Sequence, residues 1–128
     1  MNILNLTQHT ATAEQTAQGV VDPEGRDKEL FSKLLTFLDI PSKKEMEARA
    51  DKLVAHWCGD YMTDGVMIGG APFFMPILER KFREQGVDVH YAFSRRESVD
   101  SVQPDGTVTK TSVFKHVGFV TVRGFDIP

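Results

Sequence analysis

The chain has 128 residues and a mass of 14.3 kDa, enough for one domain with one core and too little for two ordinary ones. Hydrophobic residues make up 41% and charged residues 26%, a globular balance that excludes a largely disordered protein. The formal net charge of −3 conceals an acidic first half, with seven Lys or Arg against eleven Asp or Glu in residues 1–64, and a faintly basic second half, with eight against seven. That field is too weak for a long DNA or RNA partner. No apolar run approaches the roughly 20 residues of a membrane span, and the N-terminus lacks a secretory pattern, so a soluble cytoplasmic protein is expected.

Ile3, Leu4 and Leu6 form a short apolar run that predicts a first strand, with Thr7, Gln8, His9 and Thr10 as its polar exit. Thr12 and Gln15 make a capping box, which predicts a helix running to Gly19. Val20 and Val21 read as a very short strand before Asp22 and Pro23. From Arg26 to Phe37, Leu30, Phe31, Leu34 and Leu35 recur at helical spacing, with Leu38 continuing the series. Ser42 with Glu45 opens a long helix that carries Met46, Ala50, Leu53, Val54 and Trp57 on one stripe, and Gly59 is expected to end it. Cys58 beside Trp57 reads as a buried thiol, and a single cysteine excludes an internal disulfide.

Residues 65–96 are the stretch around which the rest is arranged. Val66, Met67 and Ile68 predict a strand that stops at Gly69 and Gly70, and Phe74, Ile77, Leu78 and Phe82 predict a helix that Gly86 closes. Val87, Val89, Tyr91 and Phe93 alternate with polar or small residues, so a second strand follows, with Ser94, Arg95 and Arg96 leaving its end as a loop. Parallel strands joined in this way put the Gly69-Gly70-Ala71 loop and the Ser94-Arg95-Arg96 loop at one rim of the sheet. Helix-start amides and guanidinium groups together suit an anion. Pro104-Asp105-Gly106 predicts a hairpin between Ser98–Val102 and Thr107–Val113, and Val113 to Val122 supply an apolar last strand interrupted by Lys115 and His116. The fold class expected is α/β: a three-layer, Rossmann-like, mainly parallel sheet with a C-terminal β-hairpin, in one domain spanning residues 1–128.

Two glycines are neither a Walker A loop nor a GxGxxG fingerprint, which disfavours ATP hydrolysis and NAD binding. The four histidines and one cysteine show no HxxxH or CxxC spacing, so no metal and no cofactor are expected. There is no GxSxG elbow. Lys115 and His116 are neighbours on a strand, so only one of them faces a given crevice unless the backbone bulges. His9 stands at a strand exit, whereas His56 and His90 lie within patterned elements and read as structural or solvated.

Residues 91–119, YAFSRRESVDSVQPDGTVTKTSVFKHVGF, resemble the closing segment of small stand-alone CRISPR-associated Rossmann-fold (CARF) proteins, and residues 3–15, ILNLTQHTATAEQ, resemble their opening. The intervening GVMIGGAPFF departs from that pattern. The resemblance implies a ring-nuclease-like protein that binds cyclic oligoadenylate second messengers across a homodimer and cleaves them without metal. It implies ligand contacts from Gln8, His9 and Thr10, with Ser94, Arg95 and Arg96 on phosphates and Lys115 or His116 orienting or protonating; Thr7 at the first strand's exit and Gly69, Gly70 and Ala71 in the glycine loop are ligand-binding candidates by position alone. The alternatives are a sensor that binds the same ligand without cutting it, an enzyme for a mononucleotide or phosphosugar, and an interaction protein of a mobile element that docks through its hairpin.

Overall fold

A computed structural model describes residues 1–127. Ten elements follow one another: β1 (Ile3–Leu6), α1 (Ala13–Ala17), β2 (Val20–Val21), α2 (Gly25–Leu35), α3 (Lys43–His56) with a π-helical turn (Trp57–Tyr61), β3 (Gly65–Ile68), α4 (Met75–Arg83), β4 (Asp88–Val102) and β5 (Val108–Val122). The strands form one mixed sheet in the order β2-β1-β3-β4-β5, parallel from β2 to β4 and antiparallel between β4 and β5.

The apolar strands β1 and β3 are buried along their whole length, as expected of strands covered on both faces. Leu4, Leu6, Val66, Ile68 and Val89 point to one face, where they meet Phe31, Leu34, Leu53, Phe74, Leu78 and Phe82 from α2, α3 and the α4 segment. Ile3, Val20 and Met67 form a much smaller cluster on the other face, joined by Ala11 and Phe119. Among the described residues, only the five-residue α1 crosses that second face, and it touches both β2 and β5, the two edges of the sheet. The sheet therefore curls around α1.

Local signals explain most of the boundaries. Thr12 and Gln15 form a full capping box, and α1 ends at Ala17, two residues short of the expected Gly19. The Ser42 hydroxyl accepts from the Glu45 amide and starts α3. That helix does not run to Gly59. It ends at His56 and widens into the π turn, which Met62 closes by donating to the Trp57 carbonyl at 2.8 Å. The wider turn keeps Trp57 in the core and leaves Cys58 exposed, so the expected buried thiol is corrected. Leu38 is also corrected: α2 stops at Leu35, and Leu38 is 91% exposed rather than on a core stripe.

The largest departure lies in β4 and β5. No loop follows Phe93. β4 continues for 15 residues to Val102 and pairs throughout with the equally long β5, so Ser94, Arg95 and Arg96 sit inside a strand. The Pro104-Asp105-Gly106 turn is where the sequence placed it, with Gln103 donating to the Thr107 carbonyl and both the amide and the hydroxyl of Thr107 donating to Asp105. A register shift between Phe93 and Ser94 leaves Val117 as the extra residue of a bulge.

Candidate functional site

The connection after β1 goes to α1 on one face of the sheet, whereas the connection after β3 goes to α4 on the other. The C-terminal ends of β1 and β3 therefore flank a topological switch point, where open α/β sheets form a crevice. A cavity of about 380 Å³ occupies it. Thr7, Gln8, His9 and Thr10 form one wall, Gly69 and Gly70 the opposite wall, Thr12 and Gln15 one end, and Tyr91 and Ala92 the other.

Asn5 fixes the first wall. It is fully buried, and its amide donates to the His9 carbonyl and to Asp22 Oδ1, both at 2.7 Å. Its oxygen accepts from the amide and hydroxyl of Thr7. Asp22 also accepts from the Ala11 amide. One polar side chain thus pins both ends of the loop, and leaving any of these buried groups unpaired would cost about 1–3 kcal/mol. An Asn inside an apolar strand run was the signal for it, and the sequence reading passed over it.

The second wall depends on backbone conformation. Gly70 has φ +144°, which side-chain-bearing residues rarely adopt, while a Cβ added at Gly69 would meet the Thr7 methyl at an ordinary contact distance of 3.4 Å. α4 begins at Met75 without a side-chain cap and with Pro76 in its first turn. Among the hydrogen bonds of the described residues, the amides of Thr10, Gly70 and Ala71 find no protein acceptor. Ala71 itself does not line the cavity; it packs against the main core.

The cavity wall contains no carboxylate and no Lys or Arg. Hydroxyls, amides and one exposed imidazole, His9, set its polarity. The Gln8 amide is turned toward α2, donating to Thr36 Oγ1 at 2.6 Å. The Tyr91 hydroxyl donates to Glu79 on α4 at 2.8 Å, and burial followed by that carboxylate raises its pKa above the ordinary tyrosine value, so it stays neutral. A smaller hollow of about 200 Å³ lies on the other side of the same loop and includes Lys28 and Ser32 of α2.

Ser94, Arg95, Arg96 and Lys115 are not part of this cavity. They leave at the same end of the sheet, but Ala92 is level with Gly69, which puts Arg95 about 10 Å farther out at 3.3 Å per residue. Alternation then divides them. Arg95 and its partner Lys115 lie on the ribbon face continuous with Tyr91, whereas Ser94, Arg96, His116 and Phe114 lie on the face toward α1. Arg96 stacks over the Phe114 ring at 5.2 Å. All four of Ser94, Arg95, Arg96 and Lys115 are exposed.

His116 is buried against α1 and spoken for at both nitrogens. Gln15 Oε1 accepts from the Thr12 amide in the capping box, so the other end of that amide, Nε2, donates to His116 Nδ1 at 3.4 Å. His116 Nε2 then carries the proton and donates to Gln18 Oε1 at 2.8 Å. His116 thereby clips β5 to α1. His90 is likewise buried, with Nδ1 2.8 Å from Thr121 Oγ1 and its ring against Phe119, and burial lowers its pKa despite the opposing pull of Asp88.

No curated protein and no solved structure matches this chain. A family model does match, over residues 1–120, which takes in both cavity walls and nearly all of the ribbon: the chain belongs to the family described as "Uncharacterized protein MJ1673 family".

Proposed function

We propose that the crevice between β1 and β3 binds a small phosphorylated ligand, and that the full ligand is a cyclic oligoadenylate of CRISPR-linked signalling, held across a homodimer of Rossmann-like, three-layer domains in the cytoplasm. The observation that carries the reading is the switch-point cavity itself: unpaired amides at Thr10 and Gly70 on two facing loops, hydroxyls between them, and no carboxylate in the wall to repel an anion. At about 380 Å³ it suits a single nucleotide unit. A cyclic oligonucleotide would extend beyond it along the α1-facing side of the ribbon, where Ser94 and Arg96 stand.

Binding is better supported than cleavage. Arg95 and Lys115 face away from the α1 side, and His116 already spends both nitrogens on Gln15 and Gln18. A ring nuclease that works by in-line attack of a ribose hydroxyl needs mainly positioning and charge stabilisation, and this reading assigns those tasks to His9 in the cavity wall and to Arg96 farther out on the α1-facing side of the ribbon.

Titration with labelled AMP and with cyclic tri-, tetra- and hexa-adenylate in EDTA tests the reading, with chromatography of the products to detect cutting. Arg96→Ala is expected to weaken a cyclic ligand about tenfold, in line with the loss of one charged hydrogen bond, while leaving AMP binding nearly unchanged. Saturable binding of AMP alone would favour the mononucleotide alternative. Failure of every adenylate to bind at millimolar concentration would remove the proposal.

A further inference from the structure

On the helical side of the molecule, three side chains from three elements converge. Asp27 lies in the first turn of α2, His56 is the last residue of α3, and Asp60 sits in the π turn that follows. One ligand-type atom from each lies within 4.8 Å of the other two. From these positions we propose that Asp27, His56 and Asp60 bind a divalent transition-metal ion of the Zn²⁺, Co²⁺ or Mn²⁺ type, which ties the start of α2 to the end of α3. This site is independent of the crevice reading.

The convergence is built by neighbouring packing. Tyr61 lies against Phe31 at 6.1 Å and donates its hydroxyl to Asp27 Oδ2 at 2.6 Å, which holds the carboxylate and leaves Oδ1 open. The edge of His56 meets Phe31 at 5.9 Å, orienting the imidazole. The π turn brings Asp60 back beside His56. π-helical turns inside longer helices recur at functional sites because they re-aim side chains in this way.

The three groups approach one another without satisfying one another. His56 Nδ1 and Asp60 Oδ2 are 3.9 Å apart, too far for a hydrogen bond. Among the described residues, neither Asp27 nor Asp60 has a Lys or Arg partner, while every other ion pair joins a Lys or Arg to an acid. A cation held among the three would pair with both carboxylates at once.

The donor set selects the ion. Ca²⁺ and Mg²⁺ take oxygen ligands almost exclusively, whereas one imidazole with two carboxylates suits Zn²⁺ and its first-row neighbours. Bonds of about 2.0–2.2 Å place adjacent ligand atoms about 3.0–3.5 Å apart, slightly closer than here, and the exposed Asp60 is free to rotate inward. Three protein ligands leave a coordination position for water. Sequence spacing misses the set because Asp27 is distant along the chain from His56 and Asp60.

Calorimetric titration of the full chain with Zn²⁺, Mn²⁺, Mg²⁺ and Ca²⁺, and the visible spectrum with Co²⁺, test the site. Zn²⁺ is expected to bind one per chain and to raise Tm by several degrees at about a hundred times Kd, with Mg²⁺ and Ca²⁺ producing neither effect. His56→Gln and Asp27→Asn should each weaken Zn²⁺ at least tenfold. Asp60→Asn, at an exposed position that leaves the core untouched, should do the same in a fully folded protein. Cys58→Ser separates this site from capture by the exposed thiol in the same turn and should leave Kd unchanged. No Zn²⁺ binding, equal binding by wild type and all three ligand variants, or loss only in Cys58→Ser would each overturn the proposal.

Discussion

Residues 88–91 and 94–102 belong to one strand, yet they live in different worlds. Val89 and His90 are buried, with β3 on one side, β5 on the other and the α4 layer over Val89. Past Phe93 the neighbouring strand has ended, no helix follows, and β4 has only β5 for company. On that ribbon Val102 is 73% and Phe114 71% exposed. Antiparallel pairing with β5 resumes directly after the bulge at Phe93/Ser94 and runs through both regions, so hydrogen bonding does not distinguish them. What differs is apolar burial, and an isolated two-stranded ribbon is at best marginally stable in water.

The contrast is sharpest where burial is complete. Phe82 is fully buried and meets Trp57 edge-on at 6.1 Å between α4 and α3. Phe82→Ala is expected to cost about 3–5 kcal/mol, read as a fall in the urea midpoint with an unchanged slope. A loss under 1 kcal/mol would mean that the helical layer is far less tightly packed than described.

The second face tests the same point at smaller scale. Gly65 exists because the His90 ring occupies the place of its side chain: an added Cβ would overlap Nε2, lie 2.7 Å from Cδ2 and sit 3.0 Å from the Asp88 carbonyl. Gly65→Ala should therefore destabilise by about 1–3 kcal/mol, and combining it with His90→Ala should recover part of that loss. Strictly additive costs would show that the ring does not fill that space.

His90 also makes the buried half sensitive to pH. Burial holds its folded pKa below the ordinary value of about 6.5, so between the two values the unfolded chain carries a proton that the folded protein lacks. Stability should be fully present above pH ~6.5 and be lost progressively as pH falls through that window to the folded pKa. Chemical denaturation at a series of pH values, wild type against His90→Asn, measures it. The variant should show the shallower decline, and parallel curves would dismiss the assignment.

How far the sequence could be read follows the same division. β1, β3, the α4 stripe and the Thr12 cap were legible because local pattern and burial agree there, and Phe74, Leu78 and Phe82 all reached the core. The crevice loops were legible too, since a strand followed by Thr7 to Thr10 or by Gly69-Gly70 must end where it does. The ribbon was not. Ser94-Arg95-Arg96 looks like a loop because charged residues break an apolar alternation, but antiparallel pairing with β5 satisfies the backbone whatever the side chains are. Lys115 and His116 were correctly seen to face opposite ways, while the partners that hold His116, Gln15 and Gln18, lie about a hundred residues away and leave no local trace.

The smallest expected effect is on the ribbon itself. Phe114 contacts Arg96 across the pair, a stacking worth about 0.5–1 kcal/mol at an exposed site, and Val102 pairs only with Val108. Phe114→Ser and Val102→Thr in the isolated chain should each change stability by no more than about 0.5–1 kcal/mol, because neither side chain leaves water on folding. Those values hold for a monomer. If a second copy covers the ribbon, the same substitutions act on the dimer: Tm then rises with protein concentration in the wild type, and Phe114→Ser abolishes that dependence. Thermal melts over a hundredfold concentration range decide between the two. A flat wild-type Tm would leave the ribbon uncovered by its own kind and deprive the cyclic ligand of its two-fold site, whereas a rising one would make the exposed half the interface that the buried half does not need.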